Sequence, residues 1–353
     1  MTLDADVTLD LGGHKLTGTA KQTAITVTNG HSVTVKSGQV SGWAYGLRIG
    51  GAWAPDTLGT ISVDNVTFSG NIYGVNGQDS QQNIAGFVIT GSRFTGNRDG
   101  FHGDFTAPLK VSTSSFARNQ TAIYVDSGSS VAVTDSLMES NVTGLRCFAT
   151  VCKASRSTLR KNSFGATSGD YGNVELTDST VTGNDIGYTA GYGLLKSNTF
   201  SNNNTGVVVI ESGSVQATNN LFTGNGVGVT SVVTEGYTPR AELTGNTFLR
   251  NVDGVNVTLN SDDSDSQALL QGNIAVGNKR YGIHAPGATD AGENKATKNG
   301  KSCVGVQCAE DVNWPRCTTS DHHVRSAAAP PLCIPDHPGI PWRAQKRIGR
   351  TAR

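Results

Sequence analysis

The chain has 353 residues, of which 44 are Gly, and only 16% are charged, against usual levels of about 7% Gly and a quarter charged. With two Met and little Glu, Lys or Leu, it cannot build long amphipathic helices, and no apolar run is long enough for a membrane-spanning helix. Formal net charge is zero, which gives no electrostatic case for a nucleic-acid partner.

The first residues read as strand at once, VTLDLGGHKL at 7–16, with no charged or apolar leader segment ahead of them. The expectation is an exported protein whose signal peptide and N-terminal cap are missing by truncation from this chain. From there a repeat takes over, and a repeat decides the fold before anything else does. Its frame is an apolar residue, Asn three later, Gly three after that, then apolar-x-apolar. The clearest copies are FSGNIYGV at 68, FTGNRDGF at 94, FTGNGVGV at 222 and FLRNVDGV at 248. The Asn recurs at Asn71, Asn97, Asn119, Asn141, Asn162, Asn184, Asn203, Asn225, Asn251 and Asn278, at intervals of 19 to 27 residues.

A period near 22 with alternating β-branched and aromatic residues, and no helical stretch between copies, predicts one turn of a parallel β-solenoid per repeat. The fold class is therefore all-β: a single-stranded right-handed parallel β-helix of about 11–12 coils over residues 1–311, roughly 55 Å long at the interstrand spacing. Phe or Leu of each copy, and Val or Ile after the Gly, point inward. Gly and Asn are expected to supply left-handed backbone at the corners, and stacked Asn side chains to pass amide hydrogen bonds between coils.

Six Cys are present. Cys147 and Cys152 flank a short corner, and Cys303 and Cys308 follow the last coil, so two disulfides and an oxidising compartment are expected. No zinc-type Cys/His spacing appears. Beyond residue 311 the chain changes character. Residues 312–353 hold seven Lys/Arg, two Asp and six of the ten Pro, a balance of +5 that leaves −5 for the rest. This irregular C-terminal tail reads as disordered.

The repeat, and the opening VTLDLGGHKLTG in particular, resembles the right-handed parallel β-helix repeat family of pectate lyase-like and carbohydrate-active proteins. The resemblance covers roughly residues 3–300. It implies a secreted, extracellular protein acting on or binding a polysaccharide or cell-surface glycan, although unrelated chemistries share this scaffold. The polygalacturonase motifs NTD, GHG and RIK are absent. Metal processing, as in periplasmic copper-site maturation proteins of similar fold, is disfavoured by two Met and seven scattered His.

Aligning the coils on their Gly and reading two positions beyond gives an outward ladder: Arg48, Asn76, His102, Tyr124, Arg146, then Thr167, Thr189, Val208, Thr230, Asn256 and His284. Two positions further stand Gln78, Asp104, Asp126 and Phe148. Ionisable and aromatic groups thus concentrate on coils two to six. Long connections after Arg48 (50–59, with Trp53) and after Asn76 (77–86) are expected to wall a groove, and Trp43 and Trp53 to stack on sugar faces.

The catalytic candidates are His102 as base and Tyr124 as acid for β-elimination or epimerisation of a uronate, with Asp104 and Asp126 as the hydrolase alternative. Arg48, Asn76, Arg146 and Trp53 are the candidate substrate-binding residues. A non-catalytic glycan-binding scaffold is the competing reading. No cofactor is called for, except that Asp262, Asp263 and Asp265 of NSDDSDS supply part of a Ca²⁺ shell; a solvated acidic turn is the simpler reading. His14 is read as structural.

Overall fold

The computed structural model of the protein describes residues 1–310, apart from Asn29, 51–58, 78–83, 105–106, 128–129, Asp170, 233–238 and 260–266. The tail, Trp53, Gln78 and the NSDDSDS loop lie outside the described residues. Met1–Glu310 form one compact unit. Within it the described residues form 36 strands and no helix, wound into a parallel β-solenoid of about 12 turns.

Each turn contributes to three sheet faces. On the first, strands such as Tyr73–Asn76, Asp99–Asp104, Thr121–Asp126 and Thr143–Phe148 pair in parallel with the turn before and after. The second face carries strands such as Leu109–Ser112 and Val131–Thr134, and the third carries Arg93–Thr95 and Ser115–Ala117.

The inward residues form columns, as the alternation predicts. Phe68, Phe94 and Phe116 are register partners, fully buried, with rings stacked at 5.1 and 4.5 Å. Phe200, Phe222 and Phe248 repeat this at 4.9 Å. No single turn can bury such a column, so stability is shared between neighbours.

The Asn positions form one buried ladder. Asn97 donates from its backbone N–H (2.9 Å) and its Nδ2 (3.0 Å) to Oδ1 of Asn119, and from Nδ2 to the Phe68 carbonyl at 3.1 Å. The same three bonds recur at the other nine predicted Asn, and Asn278 donates in turn to Asn299, which ends the run. A second ladder, not expected from sequence, lies at the corner between the second and third faces. There Ser92, Ser114, Ser136, Ser157 and Ser179 hand over to Asn198, Asn220, Asn246, Asn273 and Asn294.

The expectation that Gly and Asn supply left-handed backbone at the corners holds for Gly such as Gly70, Gly96 and Gly183 and fails for the ladder Asn. The left-handed residue is not the ladder Asn but the residue before it: Gly70 and Gly96, but also Arg118, Ser140 and Lys161, with φ between 55 and 64°. A non-Gly residue there costs about 1–2 kcal/mol. The ladder offsets this, because the turn is what presents the next N–H to the Asn carboxamide. The repeat Gly three after Asn serves close packing instead: a Cβ on Gly100 would meet the Ala122 carbonyl at 2.6 Å and the Phe116 ring at 2.7 Å.

Both expected disulfides are present, Cys147–Cys152 and Cys303–Cys308. The first is buried and clips the corner leading from the first face to the second.

Asn141→Ala strips four buried groups of a partner: N–H and Nδ2 of Asn119, the Phe116 carbonyl and Asn162 Oδ1. Urea unfolding should show a loss of about 3 kcal/mol, given 1–3 kcal/mol per unsatisfied group and partial relaxation. Asn299→Ala, at the solvated end of the ladder, should cost less than half of that; equal costs would show that the ladder does not carry the stack.

Candidate functional site

The outward ladder read from sequence is the ladder found. Arg48, Asn76, His102, Tyr124, Arg146, Thr167 and Thr189 are successive register partners on the first face, and the series continues through Val208, Thr230 and Asn256 to His284. Stacking at one strand spacing makes side chains of successive turns neighbours on one strip.

His102 is the centre. Its ring stacks on Tyr124 at 4.7 Å with an interplanar angle of 15°, and on its other side lies Tyr73, tilted at 4.7 Å. Nδ1 faces the carboxylate of Asp99 at 3.0 Å and Nε2 faces Asp104 at 3.4 Å. Asp99 is buried, so its negative charge is held rigidly against the ring. A neutral His102 that donates Nδ1–H to Asp99 keeps its lone pair on Nε2, the arrangement that carboxylate–imidazole pairs use to fix a tautomer.

Tyr124 reaches Asp126 Oδ2 at 3.5 Å, and Ser127 holds the other oxygen of Asp126 at 2.9 Å. Burial, then the Asp126 and Asp104 charges, push the Tyr124 phenol above its ordinary value of 10.0, against a lesser lowering by Arg146. It is therefore a proton donor over the whole neutral range. Arg146 is exposed and lies 4.9 Å from the Phe148 ring and 5.6 Å from that of Tyr124. Its guanidinium is held by ring faces, with its donors left to solvent.

The structure brings His102, Asp104, Tyr124, Asp126 and Arg146 together on three consecutive turns. Arg48 lies two turns from His102, its Cζ 5.4 Å over Tyr45 and its Nε buried without a hydrogen-bond partner among the described residues. Asn76, between them, is buried and offers a ligand little surface, contrary to the expectation from its ladder place. Trp43 is corrected too. Its Nε1 donates to the Leu16 carbonyl at 3.2 Å and its ring fills the space where a Cβ on Gly18 would stand; it packs the first turns rather than offering a face to sugar.

Sequence reasoning missed Asp99, Arg98 and Tyr73. Arg98 bonds the Tyr73 hydroxyl, sits 4.5 Å over its ring and lies 3.4 Å from Asp99. All three stand before the repeat Gly, whereas the ladder was read beyond it. The available signal was a carboxylate in a strand position that most turns fill with Thr or an apolar residue.

Two family models match the chain in succession. One, described as a periplasmic copper-binding protein (NosD), matches residues 13–168, and the other, described as a right-handed beta helix region, matches residues 152–300. Both matches agree with the parallel β-solenoid described above, and the chain is similar over these residues to right-handed parallel β-helix proteins. Neither match spans half of it. No curated protein matches the sequence. Among solved structures it is similar to the A-module of Azotobacter vinelandii mannuronan C-5 epimerase AlgE4, at 14% identity over 82% of this chain and 89% of that one, with a TM-score of 0.47. The AlgE6 A-module of the same organism gives 13%, 87%, 91% and 0.49. The catalytic unit of a Streptomyces thermodiastaticus α-1,3-glucanase gives 10%, 86%, 58% and 0.41. At such identities the likeness concerns the fold alone.

The donors that copper favours, thiolate, thioether and clustered imidazole, do not fit what the β-helix presents. The four described Cys are in disulfides, Met138 is buried in the inner column, and among the described residues no group of three or more His, Cys, Asp and Glu is arranged so that it could hold a metal ion.

The raised Tyr124 phenol fixes a sign. The unfolded chain loses this proton first as pH rises, so the contribution to stability holds below the ordinary value and declines as pH climbs toward the folded one. In an ultraviolet tyrosinate titration, Tyr124→Phe should remove a late-titrating phenol, and Asp104→Asn with Asp126→Asn should move that phenol to lower pH. A Tyr124 that titrates at 10.0 or below in the native protein would contradict the described environment.

Proposed function

We propose that the strip around His102 acts on an acidic, uronate-containing polysaccharide, as a lyase or an epimerase. The observation that carries this reading is the sequence of Asp99, His102, Tyr124 and Arg146: a base oriented by a buried carboxylate, an acid stacked on it one turn away, and a guanidinium one turn further. Both reactions begin by removing the proton α to a carboxylate. His102 Nε2 takes that proton, and Asp99 and Asp104 stabilise the imidazolium that forms. Arg146 pairs with the substrate carboxylate, where negative charge builds as the carbanion develops. Tyr124 then gives a proton to the leaving glycosidic oxygen in elimination; in epimerisation solvent returns a proton to the opposite face of the same carbon.

The two disulfides fit an oxidising compartment, which supports an extracytoplasmic protein, and the periplasmic description of the matched family agrees. A polyanion approaching an acidic β-helix needs local positive charge; Arg48, Arg98 and Arg146 lie on or beside the strip and supply it.

A second reading follows from Asp104 and Asp126, which are register partners. They stand about one interstrand step, some 4.8 Å, apart along the axis, in the range of retaining glycosidases. Their places beside His102 and Tyr124 favour the first reading, in which Asp104 accepts from Nε2–H once the base has taken its proton and Asp126 supports the acid.

Screening polyuronates for unsaturated product by absorbance, and for deuterium uptake at the α-carbon in heavy water, tests the proposal. Wild type should show one or the other; His102→Ala should lower kcat by at least ~10²-fold, the scale of a lost general base, and Arg146→Ala should raise KM. Reducing-sugar release without either signal, abolished by Asp104→Asn, would install the hydrolase. Binding without any turnover would replace the enzyme by a glycan-binding scaffold.

A further inference from the structure

The first face carries the same set of residue types twice. Asn256 is the register partner of His284 as Asn76 is of His102. In both places an Arg precedes the strand bearing the His, Arg98 in one and Arg280 in the other. In both, one Tyr and one Asp occupy the positions three residues before the ladder. These are Tyr73 and Asp99 at the first place, and Asp253 and Tyr281 at the second, so the Tyr and Asp have exchanged turns.

The exchange changes the chemistry. Asp253 is fully buried and consumed by Arg280, whose Nε donates to Oδ1 at 2.7 Å while Nη2 bonds Oδ2; the Tyr281 N–H adds a third bond at 3.3 Å. No carboxylate is left for His284. Its Nδ1 faces Asn256 Oδ1 at 3.0 Å instead, a neutral acceptor that orients the ring without stabilising a charge on it. Tyr281 packs on His284 at 4.6 Å. Lys301, exposed and without an ion-pair partner among the described residues, holds its ammonium 5.8 Å from the Tyr281 ring. The first place is equipped to move a proton; the second presents a ring, an imidazole and a free cation.

Between the two the ladder runs through Thr167, Thr189, Val208 and Thr230, small side chains that give a linear chain a low path along the strip. From Asn76 to Asn256 is eight register steps, roughly 38 Å at the interstrand spacing.

We infer that Tyr281, His284 and Lys301 form a second, non-catalytic subsite that holds a distant acidic sugar of the polymer bound at His102. Lys301 pairs with its carboxylate and His284 bonds a hydroxyl, while Tyr281, with Arg280 over its ring, holds the two in place. The inference rests on the acidic-polysaccharide reading above and adds to it a length requirement: only chains long enough to reach from one place to the other gain from both.

Kinetics on oligouronates of increasing length test this. Lys301→Ala and His284→Ala should raise KM about tenfold for long chains, the scale of one lost charge-assisted contact, and leave kcat and short-chain KM unchanged. Lys301 is exposed, so its variant is expected to fold, and an unchanged melting temperature checks this. Turnover by wild type with no length-dependent effect in either variant overturns the second subsite and leaves the function at His102 standing. A wild type that neither binds nor turns over polyuronates overturns both.

Discussion

The rest of the protein depends on one interaction, the buried carboxamide ladder. Each ladder Asn uses its N–H, its Nδ2 and its Oδ1 on neighbouring turns, and a polar side chain buried with all of these bonds satisfied is far cheaper than the same group with one missing. A slip of one residue between turns would orphan the whole set. Register is thereby fixed at the corner, and everything on the adjoining sheet inherits it. The left-handed conformations at Arg118, Ser140 and Lys161 are the local cost of that arrangement.

Fixed register explains how residues 22 apart in sequence become chemical neighbours. His102 and Tyr124 stack because Asn97 and Asn119 do. The strand pairing delivers side chains to a common strip, and what each turn places there decides between an inert face and a site. Thr167, Thr189 and Thr230 are what the face looks like with no chemistry on it. Asp99 shows the same logic from below: a buried carboxylate is tolerated in the strand because His102 and Arg98 meet it, and it gives the imidazole a fixed orientation.

Much of this was legible in the sequence because a solenoid converts spacing into contact. The ten Asn, the inward Phe column and the full outward ladder from Arg48 to His284 follow from aligning one motif. The second ladder was not legible from that alignment. Ser in its first five turns and Asn in the rest accept the same N–H, so no single letter repeats, although each stands two residues before the column residue, as Ser92 before Phe94 and Asn246 before Phe248. The left-handed corner was misplaced by one because residue type hides it: Gly, Arg, Ser and Lys all fill the position before the ladder Asn. Trp43 was misread for a different reason. Its partner Gly18 belongs to the turn below, where the repeat is not yet regular and no motif relates the two.

The central claim is that ladder register assembles a proton-transfer site for a uronate polymer on the first face. A crystal structure with an oligouronate soaked into the His102→Ala variant tests it most directly. The account predicts a chain running along the strip, a carboxylate on Arg146 and a sugar carbon beside the vacated imidazole position. An oligosaccharide bound on another face, or His102, Tyr124 and Arg146 found out of register in the free protein, would contradict it.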